Sequence, residues 1–127
     1  MEKQLFDDIL GKMLTKDETA AMLNASTDYI GVLEKEGSLL HVTGQDGKPL
    51  YPEFQFKDHT IFEPIQRTAE ILKPIAANEW TIPLWLSGVN MFTQHMRIKD
   101  YLHAGGNPEV VYEIAASYVL LVGLDKT

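Results

Sequence analysis

The 127-residue sequence contains no cysteine. Disulfide bonds, thiol catalysis and thiolate metal sites are therefore excluded together, and we expect a protein of the reducing cytoplasm. Long apolar runs are also missing. The longest, residues 118–122, is too short to span a bilayer, so we expect no membrane insertion. Residues 2–13 are acidic and amphipathic, which predicts a helix and is not typical of a signal peptide.

Basic residues are scarce as well. The chain has 11 Lys and Arg against 18 Asp and Glu, a formal net charge of -7, and a pI of about 4.9. This balance argues against nucleic-acid binding through bulk charge, although a local basic strip on a dimer stays open. It also makes a basic protein partner attractive. The length and a hydrophobic content of 45% predict one compact unit or two small subdomains with an apolar core.

The most informative stretch begins at Thr15 and predicts two short helices joined by a tight turn. Thr15 and Glu18 have the spacing of a capping box at the start of the first helix. Asn24 suits a left-handed backbone at the turn between the helices. Ser26 or Thr27 is then expected to cap the second helix.

Apolar residues in the same stretch are spaced so that the two helices pack on each other. Ala20 lies on the first helix, Ile30 and Leu33 lie on the second, and Gly37 is expected to end it. This order of a small residue, a turn residue and two apolar residues matches the general helix-turn-helix pattern. Two ordinary packed helices with a short turn are the alternative interpretation.

After the second helix the pattern predicts a small β-hairpin. Residues 38–42 are expected to form one strand, an Asp-Gly pair the turn, and residues 49–51 the start of the return strand. A hairpin at this position resembles a wing, with Lys48 at its tip placed to meet phosphate. A hairpin that only covers the core is equally open. The aromatic residues Phe54 and Phe56 are expected to pack in that core.

The rest of the chain predicts a helical second half. We assign residues 1–57 to a helix-turn-helix region with a wing-like hairpin, and residues 58–127 to a helical bundle, so the expected fold is mainly α. Helices are expected after Pro64, over residues 97–102 and after Pro108. The last helix is apolar on more than one side, which indicates burial between subdomains or in a homodimer.

Catalytic motifs are missing. The sequence has no HExxH, no P-loop, no GxGxxG after a strand and no GxSxG. The four histidines are scattered, and the best metal candidate, His95 and His103 with Asp100 as a third ligand, is weak. We therefore expect no enzyme, no cofactor and no metal site.

Several segments in order resemble the Xre/MbcA/ParS antitoxin family. They are the helix-turn-helix pattern, LYPEFQF, WLSGVN, RIKDYL and a Gly-rich turn before the final helix. The resemblance implies a bacterial type II toxin–antitoxin system. Its antitoxin would have an N-terminal region for double-stranded operator DNA and a C-terminal toxin-binding domain. The cognate toxin of this family is typically a RES-domain enzyme that consumes NAD.

The resemblance also implies which residues face DNA and which face the toxin. No arginine lies on the second helix for the common guanine contact, so polar residues would have to read base edges there. A protein-interaction module with a degenerate helix-turn-helix that binds no DNA is the alternative. The expected DNA-binding residues are Ser26, Thr27, Asp28, Gly31, Val32, Lys35 and Lys48, and the expected partner-binding residues, within 81–122, are Trp85, Arg97, Lys99, Tyr101, Tyr112 and Tyr118.

Overall fold

The computed structural model describes residues 7–125. The chain is mainly helical with a small antiparallel sheet, and it divides into two compact units between Phe62 and Glu63. This division lies a few residues after the boundary expected at residue 57. The reason is that Phe56 is buried in the core of the first unit and Ile61, its partner across a second small hairpin, packs against the same core.

In the first unit, a three-stranded antiparallel sheet lies beside two helices. The central strand of the sheet, β3, pairs with β1 on one side and β2 on the other. A separate two-stranded hairpin, β4–β5, follows. The elements are β1 Met13–Leu14, α1 Lys16–Met22, α2 Thr27–Lys35, β2 Val42–Thr43, β3 Pro49–Pro52, a 3-10 turn Glu53–Gln55, β4 Phe56–Lys57 and β5 Thr60–Ile61.

The helix expected over residues 2–13 is shorter than predicted at its C-terminal end. Residues 2–6 lie outside the described part of the chain, and residues 7–10 are helical. Gly11 then adopts φ 78°, a left-handed conformation that stops the helix. Met13 and Leu14 pair with β3 instead, because extended backbone there completes the sheet edge.

The local predictions for α1 and α2 are confirmed. Thr15 and Glu18 form both hydrogen bonds of the capping box, at 3.1 and 2.9 Å. Asn24 has φ 53°, and the Ser26 hydroxyl oxygen accepts the Tyr29 amide hydrogen at 3.2 Å to cap α2. The two helices enclose one apolar core with the sheet, whose buried members are Leu14, Ala20, Ile30, Leu33, Leu39, Tyr51 and Phe56.

The strand expected over residues 38–42 is reduced to Val42–Thr43. The backbone of Leu40 is satisfied by a side chain rather than by a strand. The amide of Gln55 donates to the Leu40 carbonyl and accepts from the Leu40 amide, both at 2.8 Å. Gln55 is only 3% exposed, so a buried polar side chain takes the position of a neighbouring strand.

The second unit consists of helices around a separate core. The long final helix packs on the first helix of this unit, where Ile65, Leu72, Val111 and Ala115 are fully buried. Within residues 7–125, none of the helices is both long enough and apolar enough to cross a membrane. The elements are α3 Glu63–Leu72, a 3-10 turn Lys73–Ile75, α4 Thr81–Leu86, a 3-10 turn Met91–Thr93, α5 Ile98–His103 and α6 Pro108–Asp125.

Candidate functional site

Helix α2 has one buried face and one exposed face. Ile30 is 0% exposed and Leu33 is 7% exposed, while Val32 on the opposite side is 48% exposed. Gly31 is half-buried. The other four residues expected to face DNA from this helix lie on its exposed surface: Ser26, Thr27, Asp28 and Lys35.

A second basic group lies next to this surface, and sequence reasoning missed it. A Cβ built on Gly31 would be 3.7 Å from the Nζ of Lys16, so the Lys16 ammonium lies over the glycine. Lys16 is the first residue of α1, far from Gly31 along the chain. The missing side chain at Gly31 therefore leaves space for a lysine from the neighbouring helix.

The acidic residues around Lys35 are not all on the exposed face. Glu34 accepts a hydrogen bond from the Tyr51 hydroxyl, so its carboxylate is turned toward β3. Tyr51 is 0% exposed. Its burial, reinforced by the Glu34 carboxylate, raises the pKa of Tyr51 well above its ordinary value. This contact fastens α2 to the central strand of the sheet, and Asp28 remains the exposed carboxylate of the first turn of α2.

The Tyr51–Glu34 contact predicts a stability that depends on alkaline pH. A raised pKa in the folded state means that the unfolded state releases the tyrosine proton first. The contribution is therefore complete below pH 10 and declines as pH rises, at about 1.4 kcal/mol per pH unit. Tyr51→Phe should flatten this fall in urea unfolding measured from pH 7 to 11. Tyr29→Phe, at a 51% exposed position on α2, is the control and should retain it. An unchanged slope in Tyr51→Phe would contradict the assignment.

The hairpin turn before β3 presents the remaining expected DNA contact. Lys48 is exposed, and its backbone amide donates to the Asp46 carboxylate at 2.9 Å. Gly47 has φ 80°, and the Gly44 amide donates to the Lys48 carbonyl at 2.9 Å. These contacts shape a tight turn with the lysine side chain directed away from the core.

The six residues expected to contact a partner differ widely in exposure. Tyr101 and Lys99 are each 8% exposed and belong to the interior of the second unit. The hydroxyl oxygen of Tyr101 accepts the Asn107 amide hydrogen at 3.1 Å, which explains its burial as support for the turn before α6. Tyr118, 42% exposed, is the most accessible of the six.

The other three expected partner contacts are half-buried. The Arg97 guanidinium donates to the Ser87 carbonyl, and the Trp85 ring lies 6.2 Å from the Tyr118 ring between centroids. Tyr112 lies under the Arg67 guanidinium, 5.4 Å from the ring centroid, and burial raises the pKa of Tyr112. These side chains contribute to the packing of the second unit.

The loop between α4 and α5 exposes three apolar side chains on a well-held backbone. Val89, Met91 and Phe92 are 61, 67 and 68% exposed. The buried Thr93 hydroxyl makes hydrogen bonds to the Asn90 carbonyl at 3.0 Å and the Met96 carbonyl at 2.9 Å. Sequence reasoning missed this surface, although an apolar run outside a helix face was a usable signal.

Beside this loop, α6 forms one wall of an open groove of about 570 Å³. Its lining is mainly apolar, and Glu113 is its charged member. The groove is formed by Asn90, Phe92, Val110, Glu113, Ile114, Ser117, Tyr118 and Leu121.

The described residues contain no cluster of three or more His, Asp or Glu side chains placed to hold a metal ion. Comparisons with protein-family models, with curated proteins and with solved structures found no match for this chain.

Proposed function

We propose that this chain is a DNA-binding regulator of the antitoxin type, which binds double-stranded operator DNA as a homodimer and a toxin protein through its second unit. The observation that carries the DNA role is the exposed face of α2. The buried face, with Ile30 and Leu33, holds the helix in place, and the opposite face is available to a groove of DNA.

The polar and basic residues of this face suit different parts of DNA. Ser26 and Thr27 at the start of α2 are short polar side chains that can contact base edges or phosphates. Lys16, Lys35 and the hairpin Lys48 would supply positive charge for phosphates. Because the chain is acidic, such local lysines would have to provide the attraction, and affinity should fall steeply with salt.

The turn of Glu34 toward Tyr51 also favours this proposal. An exposed carboxylate directly beside Lys35 would repel phosphate, and the hydrogen bond to Tyr51 draws that carboxylate toward the sheet. The hairpin that carries Lys48 is attached to the same strand as Tyr51. We infer a wing-like role for the hairpin from this linkage.

Lys35→Glu is expected to weaken binding to DNA from upstream of the chain's own coding sequence by at least about tenfold. The change replaces a phosphate-binding ammonium with a repulsive charge. Fluorescence anisotropy over a range of salt concentrations measures it. The salt slope should also fall, by about 0.9 for each phosphate that the variant no longer neutralises.

Lys73→Glu is the matched control for that experiment. It makes the same change in net charge at an exposed position in the second unit, so its affinity should stay within about twofold of the parent at moderate salt. If the folded parent shows no specific binding even at low salt, or if both variants weaken binding equally, α2 is not a DNA-binding surface.

A second candidate function is protein binding without DNA binding, and the apolar loop at Val89, Met91 and Phe92 favours it. Exposed apolar side chains on a pre-organised backbone are suited to fill pockets on a partner protein. Co-expression with the product of the neighbouring gene tests it. Co-purification of a RES-type protein without any DNA binding would favour this second function, and a chain that never co-purifies with it would argue against any toxin role.

A further inference from the structure

Helix α6 has two apolar stripes. One contains Val111 and Ala115, which are fully buried against the unit's own core. The other faces the groove and contains Val110, Ile114 and Leu121, with Leu121 still 62% exposed. A helix that is apolar on two sides has a surface left over for a further partner after its own core is complete.

The groove-facing stripe has the spacing of a coiled-coil seam. Val110, Ile114, Ser117 and Leu121 are separated by four, three and four residues. This alternation is the heptad pattern of a and d positions, which places each residue in a hole on a facing helix. Ser117 is the small polar residue at a d position, and a single polar seam residue favours one register.

The charge distribution identifies the facing helix. Residues 114–124 contain no charged side chain, although the chain carries a net charge of -7. Two copies of so acidic a protein repel each other, so they can associate only through a surface that adds no like charge. A basic partner would instead be met by carboxylates, and Glu113 is the charged residue in the groove.

We propose that α6 pairs in parallel with α6 of a second copy of this chain. In this arrangement Glu113 takes a g position and Tyr118 an e position of the next heptad, and these two positions are neighbours across a parallel pair. The Tyr118 hydroxyl can then donate to Glu113 of the partner subunit, so that the charge of the groove is satisfied. The surface gives a location to the homodimer of the proposed function, but it does not depend on DNA binding.

Leu121→Glu tests the proposed seam in the full chain, by sedimentation equilibrium without DNA. The parent is expected to be a dimer. The variant is expected to dissociate about a hundredfold more readily or further, because one apolar side chain per copy is removed from the seam and two carboxylates are brought together across the two-fold axis. Leu121 is exposed within one copy, so the variant should keep its far-UV circular dichroism.

Ala116→Glu is the matched control on the same helix. Ala116 is exposed and takes a c position, away from the seam. This variant should remain a dimer with an affinity within about threefold of the parent. A monomeric parent, a dimer that survives Leu121→Glu, or equal dissociation of both variants would overturn the proposal.

Single cysteines test the parallel orientation, because the chain contains none of its own. In a parallel pair each seam residue meets its own copy, so Ser117→Cys and Val110→Cys should both form disulfide-linked dimers on mild oxidation. Antiparallel helices crossing near Ser117 would link only through Ser117→Cys, and that result would overturn the parallel pairing. A dimer that binds no DNA would leave this proposal standing and refute the DNA role alone.

Discussion

Replacing Ile30 with Asp is expected to lower the free energy of unfolding of the first unit by about 4 kcal/mol or more. Ile30 is 0% exposed among apolar side chains such as Leu14 and Leu33. The aspartate cannot fill the space of the isoleucine and would place a carboxylate where it meets no water. The penalty should grow as pH rises above the ordinary aspartate pKa, because the charged form is the costly one. Urea unfolding followed by far-UV circular dichroism measures it.

Val32→Asp is the control for this change, because the same substitution falls two residues further along α2. Val32 is 48% exposed, so the new carboxylate stays in water. Its cost should be about 1 kcal/mol or less, mainly from helix propensity. If the two variants were equally stable, the inner face of α2 would not be the one that packs on α1, and the exposed face proposed for DNA would be wrongly assigned.

Gly106→Ala is expected to destabilise the second unit by about 3 kcal/mol. A Cβ at this position would lie 2.5 Å from both Cε2 and Cζ of Tyr101. The ring cannot move aside easily, because Tyr101 is 8% exposed and its hydroxyl accepts from the Asn107 amide. The backbone is also held, since the Gly106 amide donates to the Tyr101 carbonyl at 2.9 Å. Overpacking of this kind forces shifted side chains and backbone.

Tryptophan fluorescence during urea unfolding reports on this change, because both tryptophans, Trp80 and Trp85, belong to the second unit. Gly123→Ala provides a control of opposite sign. A Cβ on Gly123 would meet nothing within 4 Å, and the residue lies in α6. Alanine there should stabilise the helix by up to about 1 kcal/mol. A Gly106→Ala variant as stable as the parent would refute the close packing of Tyr101 on this turn.

The tyrosines of the second unit divide into structural and accessible residues. Tyr101 was expected to contact a partner, yet its burial and its hydrogen bond to Asn107 show that it supports the start of α6. Tyr118 lies on α6 itself with 42% of its surface exposed. The position of a tyrosine in a helical pattern did not distinguish the two, because the distinction depends on what the Gly-rich turn packs against.

Contacts between residues close in sequence were predictable from sequence alone. The capping box of Thr15 and Glu18, the left-handed Asn24 and the Ser26 cap all depend on backbone geometry within a few residues. The mainly helical composition follows from similar local spacing. The assignment of a wing to the hairpin, of DNA to α2 and of a toxin to the second unit remains a set of predictions.

Tertiary structure alone decided the contacts that join distant segments. Gln55 replaces a strand beside Leu40, and Lys16 lies over Gly31 because α1 and α2 pack together. No periodicity encodes such pairs, since each depends on how separate elements come to lie beside one another. Local rules thus determined where α2 begins and which of its faces is apolar, and only packing decided which charges surround its exposed face.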